Sequence, residues 1–246
     1  MPDLELLRSH LLELGSVVLG YSGGVDSALL AVVATETLPA GAFLAVTGRS
    51  ASYPEFQAST ALELARRFRI PVLEIETHEL DDPRYLRNST ERCYFCKSEL
   101  WSRLGAIARQ RGFDTVVDGT NADDLKEHRP GLRASAEQGV RSPLAELGWR
   151  KADVRDAARE LDLPIWDAPA APCLSSRVMY GLAITPQRLR QVEAGEAYLR
   201  HLGVTGDLRV RHHGMKARLE VAPDHMGLLR THWAAVERAF IGIGFA

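Results

Sequence analysis

The stretch Ser22-Gly23-Gly24-Val25-Asp26-Ser27 follows the apolar run Val17-Val18-Leu19 and precedes Ala28-Leu29-Leu30-Ala31-Val32-Val33-Ala34. That order predicts a strand, a glycine-rich loop and a helix. Such a loop aims backbone N–H groups and a helix N-terminus at an anion. Gly23 and Gly24 let backbone approach phosphate closely, and Ser22 and Ser27 add hydroxyl donors. Asp26 suits an anion site only when Mg²⁺ accompanies the anion. The stretch therefore reads as a site for pyrophosphate and metal; the plainer reading is a tight strand-to-helix turn. The Gly-Lys-Ser/Thr ending of a P-loop is missing, and the glycine spacing is wrong for the dinucleotide fingerprint.

Working outward, Phe43–Val46, Val72–Ile75 and Thr115–Val117 predict three further strands. Helices are expected over Leu4–Leu14, from Ser27 to about Leu38, over Pro54–Phe68, over Cys96–Arg111 and from about Lys151 to Leu161. Alternating strands and helices predict an α/β fold, a doubly wound parallel sheet with helices on both faces. Ligands of such sheets sit beyond the carboxyl ends of the strands, so the loops after Leu19, Val46 and Val117 should converge. The proline-rich run Asp167-Ala168-Pro169-Ala170-Ala171-Pro172 breaks the rhythm. Two domains are expected, 1–166 and 167–246. The second is a smaller α+β unit, with a helix from about Pro186 to Leu202 and a hairpin of Leu208–His212 and Lys216–Val221 around His213-Gly214. A last helical stretch runs from Pro223 to Phe240.

The chain has 246 residues, 46% hydrophobic and 25% charged, with a net charge of −2. No apolar run approaches the roughly 20 residues that span a bilayer. Met1-Pro2-Asp3-Leu4-Glu5 lacks the basic-then-apolar order of a signal peptide. A cytoplasmic protein without a membrane partner is expected. The charge balance gives no global support for nucleic-acid binding. Cysteine is scarce: only Cys93, Cys96 and Cys173. In a cytosolic chain a metal or catalytic role is favoured over disulfides.

In Arg92-Cys93-Tyr94-Phe95-Cys96-Lys97, a helix start, Arg92 and Lys97 all favour thiolates, good ligands for zinc or an iron–sulfur cluster. A surface pair without a role, or a zinc site completed by a histidine, are the competing readings. Cys173 lies in Ala171-Pro172-Cys173-Leu174-Ser175-Ser176-Arg177. The loop Asp118-Gly119-Thr120-Asn121-Ala122-Asp123-Asp124 has the composition of an acidic turn, but its place at a strand's carboxyl end assigns Asp118 and Thr120 to the nucleotide site. In the hairpin, period-two alternation puts Arg209 and Arg211 on one face, with Leu208 and Val210 on the other. That face is either solvated or suited to bidentate capture of phosphate or carboxylate. His212 and His213 read as surface turn residues rather than ligands.

Ser22–Ser27 resembles the PP-loop of ATP pyrophosphatases, which split ATP between the α and β phosphates. With Asp118–Asp124, Cys173-Leu174-Ser175-Ser176-Arg177, Tyr180-Gly181 and Arg209-Val210-Arg211-His212-His213-Gly214, the chain resembles the LarE family of PP-loop sulfurtransferases from about Leu4 to Phe245. The resemblance implies adenylation of a carboxylate of pyridinium-3,5-biscarboxylic acid mononucleotide, release of pyrophosphate, and replacement of oxygen by sulfur. The product is a precursor of the nickel-pincer cofactor. It implies that Ser22, Gly23, Gly24, Asp26 and Ser27 hold ATP phosphates and Mg²⁺. Lys97 would neutralise phosphate charge, Ser176 and Arg177 would line the transfer site, and Arg209 and Arg211 would bind the substrate's anionic groups. Cys93 and Cys96 beside Cys173 match the three-cysteine type, in which the cysteines ligate a [4Fe–4S] cluster. In the single-cysteine type, the residue matching Cys173 gives up its own sulfur. Family members usually continue past the Gly-Phe matching Gly244-Phe245, where this chain has only Ala246. A homo-oligomer acting on a small nucleotide is expected, and the sulfur donor is not named by the sequence. The rival readings are a tRNA-thiolating PP-loop enzyme, which would need a broad basic surface, and a non-catalytic nucleotide- or metal-binding regulator.

Overall fold

The structure is a computed structural model and describes residues 3–126 and 130–246. Val17–Gly20 forms strand β1, and Phe43–Arg49, Val72–Glu76 and Thr115–Val117 form β2, β3 and β4. All pairings are parallel, in the order β3-β2-β1-β4. Parallel neighbours need crossovers, and helices supply them. Helix α1 (Leu4–Glu13) precedes β1, α2 (Val25–Thr37) leads to β2, and α3 (Glu55–Phe68) leads to β3. Between β3 and β4 come α4 (Pro83–Leu86) and α5 (Arg92–Arg111); after β4 come α6 (Pro130–Glu137), α7 (Pro143–Glu146) and α8 (Lys151–Glu160).

Period-two alternation divides each strand between two cores. Val17, Leu19, Phe43 and Ala45 pack with Leu7 of α1, Leu29 of α2, Leu64 of α3 and Val154 of α8. Val18, Leu44 and Val46 point the other way, to Trp101, Leu104 and Ala108 of α5. Both faces of β1 and β2 being covered, their buried parts read as nearly continuous apolar runs. Helix α2 lies deepest, with every residue from Ser27 to Ala34 buried. The expected doubly wound α/β fold is thus found. The chain winds outward from β1 through β2 to β3, then returns to β4 on the other side of β1. That reversal is a topological switch point, where ligands of such sheets bind.

The chain forms two compact units. One holds the sheet: the chain through Ser50, Glu55–Glu79 and Cys93–Ala168. The other gathers Pro169–Ala246 with two short excursions, Ala51–Pro54 and Leu80–Arg92. This second unit carries α9 (Pro186–His201), the antiparallel pair β5 (Leu208–His213) and β6 (Lys216–Val221), then α10 (Met226–Thr231) and α11 (Trp233–Ile243). Leu199, Val204, Leu208, Val210, Val236, Phe240 and Phe245 form its core.

Two expectations need correcting. Helix α5 begins at Arg92 rather than Cys96, so Cys93 lies in its first turn and Cys96 opens the second. His212, read as a surface turn residue, is 1% exposed. Alternation along β5 continues through Leu208 and Val210 to His212, which faces inward, and only His213 is exposed. The His212 Nε2–H donates to Gln191 Oε1 at 3.0 Å, and its ring lies 5.1 Å from that of Phe245. Burial, then the charges of Arg188 and His213, hold its pKa below the usual histidine value.

Candidate functional site

The Ser22–Ser27 loop joins β1 to α2. Gly24 caps α2 without a side chain, so the first amides of the helix have no side-chain acceptor. This is the arrangement that receives anions. Gly23 has φ +72°, and a Cβ there would stand 2.6 Å from Ala61 Cβ, so only glycine fits. Ser22 and Ser27 hydroxyls lie 3.1 Å apart, and Ser27 Oγ donates to Gly24 O at 3.0 Å. Gln57 of α3 donates to Ser22 O at 2.8 Å, and Thr47 of β2 donates to Tyr21 O at 2.9 Å.

The loop after β4 closes on this one. A Cβ on Gly119 would come within 2.9 Å of Ser27 N, so the absence of a side chain lets the two loops touch. Asp118, 6% exposed, accepts from Ser142 Oγ at 2.8 Å, Ser135 Oγ at 3.3 Å and Thr120 N at 3.0 Å. It therefore fixes the shape of its loop. Asn121 Oδ1 accepts from the backbone of Asp123 and Asp124, and Asn121 Nδ2 donates to Asp26 Oδ1 at 3.1 Å. Lys151, the first residue of α8, donates from Nζ to Asp26 Oδ2 at 2.5 Å. Its backbone N–H donates to Asp123 Oδ2 at 3.1 Å. The Lys126 ammonium, then the Lys151 N–H, hold the Asp123 carboxyl below the usual range.

Among the described residues, no group of three or more His, Cys, Asp or Glu side chains is arranged to hold a metal. Mg²⁺ does not need one. It usually takes one or two carboxylates, substrate phosphates and waters. Asp26 beside an anion-receiving loop fits that donor set.

The three thiols are half-buried. Cys93 and Cys96 share one face of α5 at i, i+3, and Cys173 caps the short 3₁₀ turn Leu174–Arg177. Their chemistry suits iron. Cys93 and Cys96 belong to the unit that holds the sheet, and Cys173 to the other. Lys97 places its Nζ 4.6 Å from the centroid of the Trp101 ring.

In the second unit, the Cys173 turn is held from all sides. Arg177, 4% exposed, donates from Nε to Glu196 Oε1 at 2.9 Å. Its Nη1 donates to Pro172 O, to Cys173 O at 3.3 Å and to Ser176 Oγ at 3.0 Å. Ser176 Oγ in turn donates to Cys173 O at 2.7 Å. Glu196, 1% exposed, also accepts from Val210 N at 3.2 Å and from Arg200 at 3.4 Å. The two excursions fasten the same turn. Leu174 N donates to Ser52 O at 2.8 Å, and Tyr85 and Ser175 hydroxyls lie 2.6 Å apart. Arg92 donates to Ser175 O at 2.9 Å and to Asn88 Oδ1 at 2.5 Å.

Arg209 and Arg211 share the half-buried face of β5 as expected. Arg211 is committed within the protein, to Glu220 Oε2 at 2.9 Å and Ser176 O at 3.0 Å. Partial burial raises the Glu220 pKa, but the Arg211 and Arg218 guanidinium groups outweigh it and hold it below the usual range. The Arg209 guanidinium has no hydrogen-bond or ion-pair partner among the described residues. Sequence reasoning missed Lys151, Gln57 and Glu196 and gave Asn121 no role. Glu196 did carry a signal, an acid next to Gly195 on the inward face of a helix; Lys151 carried none.

A parallel sheet with this loop at its switch point and Gly119 pressed on the helix start defines a PP-loop nucleotide-binding enzyme. Residues 5–110 match the NAD synthase family. The chain is 34% identical over 239 residues to the pyridinium-3,5-bisthiocarboxylic acid mononucleotide synthase of Lactiplantibacillus plantarum, covering 97% of this chain and 86% of that one. It is also 44% identical over 223 residues to an uncharacterised protein of Synechocystis sp., covering 91% and 82% of the two chains. An uncharacterised protein of Methanocaldococcus jannaschii is 32% identical over 208 residues, covering 85% and 78%. The chain belongs to the LarE family of PP-loop enzymes. No helix among the described residues is long and apolar enough to cross a membrane.

Proposed function

We propose that the chain is an ATP-dependent sulfurtransferase that acts on pyridinium-3,5-biscarboxylic acid mononucleotide in nickel-pincer cofactor biosynthesis. A carboxylate oxygen is a poor leaving group. Its attack on the α-phosphorus of ATP forms an acyl adenylate and expels pyrophosphate. Sulfur then attacks the acyl carbon, the C–O bond to AMP breaks, and a thiocarboxylate remains. The observation that carries this reading is the Ser22–Ser27 loop, with bare helix amides and Asp26, in a chain 34% identical over nearly its whole length to a synthase of the corresponding bisthiocarboxylate.

Ser22, Gly23, Gly24 and Ser27 would hold the departing pyrophosphate, and Asp26 would orient Mg²⁺, whose charge offsets that developing on the phosphates. Asp118 and Thr120 would shape the nucleotide side, and Lys97 would neutralise phosphate. Arg209, whose five donors are uncommitted, would take a substrate phosphate or carboxylate. Arg211 and Ser176 would hold that strand against the Cys173 turn, and Arg177 would fix the backbone around the sulfur-handling cysteine. Cys93, Cys96 and Cys173 are the candidate ligands of a [4Fe–4S] cluster, which with three protein thiolates would offer one open iron for an extra sulfide. A cytoplasmic homo-oligomer belongs to the same proposal.

The test is product analysis with the pyridinium substrate: AMP and pyrophosphate are expected, and ADP with phosphate would refute it. Iron and sulfide analysis of anaerobic protein, with mass spectrometry of the Cys173 peptide after turnover, tests the sulfur chemistry. Intact Cys173 with bound iron is expected; dehydroalanine at that position without iron would overturn the cluster and leave the transferase standing.

A further inference from the structure

Asp26 has two carboxylate oxygens, and both are engaged. Asn121 Nδ2 donates to Oδ1 at 3.1 Å, and Lys151 Nζ donates to Oδ2 at 2.5 Å. Lys151 is not a loose surface lysine. It opens α8, and its own N–H is tied to Asp123 Oδ2, in the loop whose Asn121 holds Asp26. The ammonium therefore starts from a fixed root. Lys151 and Asp26 side chains are 36% and 23% exposed, so water screens the pair only in part. Mg²⁺ binds oxygen at about 2.1 Å. An ammonium in contact with Oδ2 and a divalent ion on the same carboxylate repel each other.

We propose that Lys151 is a resident counter-cation of the nucleotide site. It holds the Asp26 carboxylate compensated until the metal–nucleotide complex arrives, and it must leave Oδ2 for the metal to be taken. The device discriminates. A metal ion alone competes with a tethered ammonium and offers it nothing in return. A metal ion that comes with nucleotide phosphates brings anionic oxygens to which the displaced ammonium can turn. Lys151 is then a positioning residue, acting through Asp26. This inference rests on the nucleotide-site reading above.

The experiment uses the full chain, first alone and then with α,β-methylene-ATP, a non-cleaved nucleotide, at saturating concentration. Bound Mn²⁺ is followed by electron paramagnetic resonance, so no turnover is needed. Without nucleotide, Lys151→Met is expected to lower the Mn²⁺ half-saturation by about three- to tenfold, the range for removing one partly exposed ionic competitor, and the drop should be smaller with nucleotide bound. Lys151→Gln should do the same and stands in if the first variant fails to fold. Lys151→Arg should keep the wild-type value. Lys126→Met, which removes a nearby loop charge that pairs with Asp123 instead of Asp26, should also leave it unchanged. An unchanged or raised half-saturation in the folded neutral variants would overturn the inference, as would an equal drop in Lys126→Met. Failure of the unaltered protein to bind nucleotide with Mn²⁺ would remove the nucleotide-site reading and this inference together.

Discussion

Replacing Arg177 by methionine is expected to cost the second unit about 3–5 kcal/mol, the usual cost of stranding one partner of a buried ion pair. The side chains of Arg177 and Glu196 are 4% and 2% exposed. Without the guanidinium, the Glu196 carboxylate keeps only the Val210 N–H and the Arg200 contact at 3.4 Å. The carbonyls of Pro172 and Cys173 lose a donor at the same time. For a domain of roughly 100 residues, each kcal/mol is worth about 4 °C or more, so the Tm of this unit should fall by about 12 °C or more. A two-unit chain need not unfold in one step. Amide hydrogen exchange of α9 and β5 peptides therefore reports the loss better than a whole-chain melt. The double variant Arg177→Met/Glu196→Leu removes both charges, and its loss should fall short of the summed single losses by about 2 kcal/mol. Cys173 should also react faster with a thiol reagent in Arg177→Met, because the backbone around it is released. Single losses below about 1 kcal/mol that simply add in the double variant would refute the reasoning.

Gly119→Ala should weaken nucleotide binding about tenfold and destabilise by about 1–3 kcal/mol, because its Cβ meets Ser27 N at 2.9 Å; calorimetric titration with ATP and a melt check the two parts. The Arg141 guanidinium, helped by His10 and the Ser142 N–H against the effect of burial, holds Glu146 down to about 2. Its contribution, of order 2 kcal/mol after solvent screening, is complete above the unfolded value of 4.5 and is lost as pH falls toward about 2. The stability gap between wild type and Glu146→Gln should therefore close over that window in acid titrations of urea unfolding. Arg209→Ala should weaken substrate about tenfold or more, from roughly 1.5–3 kcal/mol per charge-assisted contact, with stability unchanged. Arg211→Ala should also lower the melting temperature, because Glu220 and Ser176 O lose their donor.

The sheet was legible in the sequence because local patterns suffice there. The apolar runs at Val17 and Phe43 are buried on both faces, those at Val72 and Thr115 only in part, and amphipathic stretches between them can only be crossovers. The loop at Ser22–Ser27 was legible because its glycines and serines act through backbone and short side chains at one place in the chain. The paired face of Arg209 and Arg211 followed from strand periodicity alone. What escaped the sequence depends on partners far along the chain. Lys151 meets Asp26 only because the loop after β4 folds over the start of α2, and nothing in either local pattern encodes that meeting. Glu196 meets Arg177 in the same way. His212 followed the alternation of β5, but its placement in the core needed Gln191 and Phe245 to receive it. Ser52, Tyr85, Asn88 and Arg92 belong with the Cys173 turn although they precede it by some 80 residues or more. Local sequence thus determined which backbone elements form and which loop receives an anion. Tertiary structure decided which buried charges are neutralised by which partners, because burying a charge is costly until its counter-ion or donor arrives.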